Sequence, residues 1–458
     1  MRDRVERSHA PGAAARKRGA PSRRRGASGR ERGASSRTPG ASALERAGSS
    51  RERAARRIAL GVLERLRAGQ LTLVEGASVL ALGSGSPRAV VHVRSPGLWP
   101  RLLSGSRGMA EAYTQGLWDS PDLVEVVRLA ARNVGTLDAW RRRLAPARAA
   151  VQALRGVRVR NTRARSRSDI AAHYDLGNEL FELMLDETMS YSCAYFPRAG
   201  MSLAEASTAK LELVCNALEL EQQDEVLEIG SGWGGFAIHA ARTRGCRVTT
   251  TTISREQYES ARARAREAGV ADRVKVLCED YRDLRGRYSK LASIEMIEAV
   301  GWRDFGTFFA RCSSLLSQKG KMLLQAIVID DRAYGVEKAS RSFMRTHIFP
   351  NGCLPSLDVI ARCLARRTDM QAIALTDLTP HYPETLRRWR SNFEVASGRL
   401  SELGYDEPFR RLWRMYLAYC EAGFVERRIG VVQLTLGKPR SRETSPPQVA
   451  GAALAAAA

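Results

Sequence analysis

The chain turns periodic at Ile58. Ile58, Leu60, Val62, Leu63 and Leu66 share one stripe of a helix. Leu71-Thr-Leu-Val74 and Ala89-Val-Val-His-Val93 alternate like half-buried strands, with Gly83-Ser-Gly-Ser-Pro87 as a break between them. A further helix is predicted after Ser120-Pro-Asp122, with Ser120 as its N-cap and Leu123, Val126, Val127 and Ala130 on its inner side. These elements make a small α+β domain over residues 58–150. Then the pattern changes. Short apolar runs at 225–230, 247–253, 274–280, 291–295, 321–329 and 429–436 alternate with helical text. They predict an α/β, doubly wound sheet over residues 169–437, mostly parallel with its last strand antiparallel. Between the last two of these runs, Phe343, Ile348, Leu357, Ile360, Leu364, Leu386, Trp389, Phe393, Trp413, Tyr416 and Tyr419 recur at helical spacing. Residues 334–424 are therefore expected to be a helical insertion.

Composition changes this picture only at the ends. With 458 residues, 44% hydrophobic and 27% charged, the chain is an ordinary globular sequence of two or three domains. The net charge of +24 is uneven: residues 1–57 hold 17 Lys or Arg against 5 Asp or Glu, half of the surplus. That stretch is nearly all Arg, Ala, Gly, Ser and Pro, too poor in apolar side chains to offset ordering entropy, so it reads as a disordered tail. Residues 151–168 read as a basic linker and 438–458 as a second loose tail. No run of about 18 apolar residues offers a membrane span, and the basic start has no apolar stretch behind it, so a cytoplasmic protein is expected. The eight cysteines lack any Cys-x-x-Cys pair, which argues against zinc, any other metal site and a disulfide framework.

The chemistry sits in the middle. Glu225 to Gly230 is a buried strand, Gly230-Ser-Gly-Trp-Gly-Gly235 a glycine loop and Phe236 the start of a helix, the opening of a nucleotide-binding sheet. A dinucleotide enzyme would end the second strand in Asp or Glu for the ribose. Here that strand runs into Thr252-Ile-Ser-Arg-Glu-Gln257, while the third ends in Asp280, and the combination points to a class I S-adenosylmethionine methyltransferase. The expected cofactor residues are Tyr191, Ser192, Glu228, Gly230, Ser231, Gly232, Trp233, Gly234, Gly235, Thr252, Ser254, Gln257, Asp280 and Tyr281; several of the hydroxyls could equally cap helices. A nucleic-acid methyltransferase would carry an Asp or Asn-Pro-Pro-aromatic motif after the fourth strand. That place reads Glu295-Met-Ile-Glu298, and no nucleic-acid partner is expected.

Six ordered motifs extend the reading. His173-Tyr-Asp-Leu-Gly-Asn178, Tyr191-Ser-Cys-Ala-Tyr-Phe196, Glu228 to Gly235, Glu279-Asp-Tyr-Arg-Asp283, Glu298-Ala-Val-Gly301 and Ile348-Phe-Pro-Asn-Gly-Cys-Leu-Pro355 together resemble the cyclopropane-fatty-acyl-phospholipid synthase and mycolic acid methyltransferase family, over roughly Ala110 to Leu436. The resemblance implies methyl transfer from S-adenosylmethionine to the cis double bond of an unsaturated phospholipid acyl chain, then ring closure with a bound bicarbonate as base. By motif matching the bicarbonate ligands are Cys193, Glu298, Gln325, Ile327 through its backbone, and Tyr382, and Cys420 matches a position marked as an active-site cysteine. The partners implied are acyl chains at the inner membrane surface, with a peripheral location; a homodimer is left open. One departure stands out: many members have His where this chain has Gln325, which resembles a subgroup that makes mid-chain methyl-branched fatty acids. A branched product is therefore the rival to a ring, and an inactive lipid-binding relative the more distant one.

Overall fold

A mixed sheet of four strands opens the fold. β1 (Gly69–Glu75) pairs antiparallel with β2 (Ser78–Ser84) and parallel with β3 (Arg88–Val93), and β4 (Trp118–Asp119) closes the edge beside β3. The computed structural model describes residues 48–135, 176–339 and 342–443. The expected linker at 151–168 and the greater part of both expected tails lie outside the described residues, as do His173 to Asp175 of the first motif. β2 was not foreseen because only Leu82 of its side chains is buried, which erases the apolar alternation.

Three boundaries differ from the sequence expectation, one being the second tail: its first residues are not loose, since Pro439–Glu443 forms a 3-10 helix with Lys438 and Ser441 buried. The first helix runs Ser50–Leu63 and begins before Ile58, because Ser49 and Glu52 close a capping box and Ala55 and Ala59 supply a buried face inside the Arg-rich text. Arg56 of this helix reaches Glu75 on β1 at 2.8 Å. The helix Leu123–Arg132 is capped by Asp122, whose Oδ1 accepts from Val124 N at 2.9 Å and Glu125 N at 3.3 Å; the expected cap, Ser120, instead bonds the backbone of Asp122. Arg128 and Arg132 then reach Glu426, at 2.8 and 2.7 Å, just past the helix Glu407–Val425. The helix Leu123–Arg132 is thereby tied to the end of the last long helix.

The second sheet has seven strands: β5 (Glu225–Ile229), β6 (Arg247–Thr252), β7 (Val274–Cys278), β8 (Tyr288–Ile294), β9 (Leu316–Ile329), β10 (Gln371–Asp377) and β11 (Ile429–Gly437), in the order β10-β11-β9-β8-β5-β6-β7. β5 to β9 pair in parallel, and β11 runs antiparallel to both β9 and β10. The doubly wound reading holds, with one correction: residues 334–424 are not wholly helical, since they contain β10. Its seven residues are all exposed at the sheet edge, so neither a buried run nor a polar face distinguished it from the helical text on either side. Chain order reverses at β5, with β6 and β8 on its two sides. In an open α/β sheet the crevice beyond the carboxyl ends of such strands is where ligands bind.

Candidate active site

β5 delivers Glu228 and the glycine loop to that crevice. Gly230, Gly232 and Gly234 all have positive φ, and the helix Gly235–Arg244 starts directly behind them. A Cβ at Gly232 would meet nothing within 4 Å, because this glycine faces the cleft. At Gly235 it would strike the Thr188 carbonyl at 2.6 Å, so that position must stay bare for the chain to pack. The cleft is a cavity of about 160 Å³. Of the expected cofactor residues, Tyr191, Ser192, Glu228, Gly230, Ser231, Gly232, Trp233, Gly235, Thr252, Gln257, Asp280 and Tyr281 line it. Two do not. Gly234 packs against Ala261, and Ser254 caps the helix Arg255–Glu267 by accepting from Gln257 N, the ordinary use of a serine after a strand.

The chemistry of these donors fits S-adenosylmethionine. Glu228 is buried, accepts from Thr250 Oγ1 at 2.5 Å, and burial pushes its carboxyl up to about 8. A cationic ligand entering the cleft favours its ionised form. Thr252 donates to Gln257 Oε1 at 2.8 Å, so the oxygen of this cleft-lining amide is engaged and its nitrogen is the end that can donate. Asp280 is held by Arg282 through bonds of 2.8 and 2.6 Å. Lys210, which the sequence did not single out, is 1% exposed in the same cleft and donates to Ser192 Oγ at 3.0 Å. Burial lowers its pKa while the carboxylates of Glu295, Asp186 and Glu228 raise it.

A second cavity of about 600 Å³ lies beyond the first. Its walls are overwhelmingly apolar and come from both sheets and the helices around them: Leu71, Leu73 and Val91 from the small sheet, Ile327 from β9, Phe349, and Tyr416 and Phe424 from the last long helix. Cys420 is on this wall; burial pushes its thiol up to about 12, and no carboxylate or basic side chain is among the causes. Three residues line both cavities: Tyr191, Glu295 and Ala299.

Glu295 is a second residue that sequence reasoning missed. It follows β8 with φ of +49°, a strained conformation for a non-glycine residue. Its backbone N–H is fixed to Gln325 O at 2.8 Å. Its Oε1 accepts from Cys193 N at 2.9 Å and Gln325 Nε2 at 2.6 Å, and its Oε2 accepts from the Tyr382 hydroxyl. Tyr382 is held by stacking on Phe424, centroids 4.2 Å apart. Glu298 stands beside it: Oε1 accepts from Ile327 N at 2.5 Å, while Oε2 is buried without a hydrogen-bond partner among the described residues. Burial and the neighbouring Glu295 push Glu298 up to about 8.

The residues expected to hold a bicarbonate are thus brought together, but they do not fit one. Cys193 N–H, Gln325 and Tyr382 are occupied by Glu295, and Ile327 N–H by Glu298. The Cys193 thiol is fully buried, is directed at the Ala194 and Leu378 carbonyls and lines neither cavity. Gln325 lines neither cavity as well: its Oε1 accepts from Gln433 Nε2 at 2.9 Å, so its amide is used at both ends. The expected direct ligation by Cys193 and Gln325 is replaced by support of Glu295 from behind.

The sheet order, the glycine loop after β5 and the acidic residues lining the cleft define a class I, S-adenosylmethionine-dependent methyltransferase. Comparison with known proteins narrows the class. Residues 161–434 match the mycolic acid cyclopropane synthetase model, and the chain belongs to that family. It is 37% identical over 370 residues to the tuberculostearic acid methyltransferase UfaA1 of Mycobacterium tuberculosis, covering 78% of this chain and 85% of that protein. It is 33% identical over 362 residues to the cyclopropane-fatty-acyl-phospholipid synthase of Escherichia coli K12, covering 78% and 89%. Among solved structures, the cyclopropane synthase MmaA2 from Mycobacterium tuberculosis superposes with a TM-score of 0.56 at 28% identity, over 59% of this chain and 98% of that one. The mycolic acid cyclopropane synthase CmaA1 complexed with SAH and CTAB gives 0.56 at 29%, with the same coverage.

Proposed function

We propose that this enzyme transfers a methyl group from S-adenosylmethionine to the cis double bond of an unsaturated phospholipid acyl chain, and that the product closes to a cyclopropane. The observation that carries the reading is the meeting of a polar, glycine-walled cleft with a large apolar cavity at Tyr191, Glu295 and Ala299. Glu228, the Gly230–Trp233 loop, Gln257 and Asp280 would hold S-adenosylmethionine, whose sulfonium supplies the electrophilic methyl. An alkene is a weak nucleophile, so holding it in line with that methyl is the main task of the site. The apolar walls exclude water from the carbocation that forms, and the Glu295 carboxylate and Tyr191 ring face it as negative charge and π density. Loss of a proton from the transferred methyl then closes the ring. The names of the Escherichia coli relative and of the two solved synthases support the same product.

A second reading has its own support. The 37% identity is to a protein named for tuberculostearic acid, and Gln325 departs from the histidine of many ring-forming members. In that case a hydride shift precedes proton loss and leaves a methylene branch. For either product we place the enzyme at the inner membrane face, where the excess Arg of residues 1–57 is attracted to anionic lipid. Expression in a bacterial host that makes unsaturated phospholipids but no such product tests the reading. Mass spectrometry of its fatty acids should show gain of one CH2, and NMR of the purified ester separates ring from branch. Unchanged fatty acids would refute both.

A further inference from the structure

Resting on the methyl-transfer reading, we propose that Glu295 stands where the family's bicarbonate would sit and is itself the base that takes the proton from the transferred methyl. Three donors converge on its carboxylate: Cys193 N–H, Gln325 Nε2 and Tyr382 O–H. They are three of the five groups that the family resemblance assigns to bicarbonate. A fourth, Ile327 N–H, is taken by Glu298, the fifth. The chain therefore supplies its own trigonal, planar, acceptor-only oxygens to the donor set, and a bound bicarbonate would put a third carboxylate-like group where two already stand.

The division of labour between the two acids follows from their partners. A carboxyl group that accepts three hydrogen bonds and donates none is used as the anion. Burial, the largest effect, raises the pKa of Glu295, as suits a base, while the bonds from Tyr382, Cys193 and Gln325 and the charge of Lys210 on the cofactor side act in the opposite direction. Glu298 has one donor and one oxygen without a partner, the arrangement of a protonated neighbour. Like charges side by side separate in this way, one ionised and one neutral. Glu295 is also the only ionisable carboxyl lining both cavities among the described residues, so it borders the place where a sulfonium in one meets an alkene in the other.

The step balances without a co-reactant. The methyl leaves sulfur for one alkene carbon, giving the neutral thioether and a carbocation at the other. A C–H bond of that methyl breaks and its proton passes to the Glu295 carboxylate. The freed electron pair forms the third ring bond or, after a hydride shift, the exocyclic double bond. The base is the same for ring and branch.

The test is turnover of unsaturated phospholipid vesicles with S-adenosylmethionine in CO2-free, sealed buffer, then with sodium bicarbonate added. Wild type is expected to turn over equally in both. Glu295→Gly, which relieves the positive φ and vacates the carboxylate site, should lose about 10²–10⁴-fold and recover in proportion to added bicarbonate. Glu295→Gln, which keeps the site filled, should lose as much without recovering. Calorimetric binding of S-adenosylmethionine reports whether the variants fold. Wild-type turnover that stops in CO2-free buffer and returns with bicarbonate overturns the proposal even if neither variant folds, and leaves the methyl-transfer reading intact. No alkylated lipid from wild type in either buffer brings down both.

Discussion

A buried carboxyl with one oxygen unpartnered titrates where its surroundings force it, and Glu298 makes that measurable. Its carboxyl is pushed up to about 8 from an ordinary 4.5. Between those values the folded protein keeps a proton that the unfolded chain releases, so this group removes stability as pH rises from about 4.5 to 8 and adds no further slope above. Glu298→Gln lacks that dependence. The stability of E298Q relative to wild type should therefore grow across the window, by on the order of a few kcal/mol, in denaturant titrations at pH 5 and pH 8. An offset that does not change with pH would mean that Glu298 is already ionised. Glu298 itself was legible in the sequence, as a lone acid in apolar company after a strand. Glu295 was not, because it was read as the end of β8. The signal was there: two acids three residues apart at the carboxyl end of a parallel strand, where α/β sheets hold ligands. What could not be read was partnership. That Gln325 faces Glu295 depends on the pairing of β9 with β8 and β11, which aligns Gln325 with Ile294 on one side and Gln433 on the other.

Among the elements, the small N-terminal sheet and its helices do more than precede the seven-stranded sheet. They form one wall of the large cavity, through Leu71, Leu73, Val91, Met109 and Val127. Filling that wall should change which acyl chains fit without touching the cofactor cleft. Met109, on the helix Ser106–Thr114 and only partly buried, lines this cavity alone. Met109→Trp should shift product toward shorter acyl chains in a mixed-chain vesicle assay, with S-adenosylmethionine affinity unchanged. Equal chain selectivity would place the acyl chain elsewhere. The parallel strands were visible as apolar runs because they are buried on both faces. β2 and β10 escaped for the opposite reason, being largely exposed, and Ile373 and Leu375 on β10 are each 52% exposed. Capping was legible in kind, not in place: Ser120 and Asp122 are both good caps, and only the folded turn selects Asp122.

For the whole molecule, charge and fold meet at the first helix. Cutting at residue 57 would remove Ser49, Glu52 and the buried Ala55, whereas cutting at residue 47 spares the capping box. Deletion of residues 1–47 should leave the melting temperature unchanged and weaken association with anionic vesicles at low salt. Deletion of 1–57 should lower the melting temperature as well, since loss of an N-cap alone costs about 1 kcal/mol. Identical melting curves for the two truncations would show that the helix start adds nothing to the core. The central claim is that one carbon passes from S-adenosylmethionine to an acyl double bond where the two cavities meet. The direct measurement is incubation of the purified enzyme with methyl-labelled S-adenosylmethionine and vesicles of an unsaturated phospholipid, followed by mass spectrometry and NMR of the released fatty acids. The account predicts label in a single added CH2, bonded to both carbons of the former double bond in the ring and to one of them in the branch. S-adenosylhomocysteine should form in equal amount, and vesicles of the saturated analogue should take up no label. Label on the headgroup, on protein or on nothing at all would contradict it.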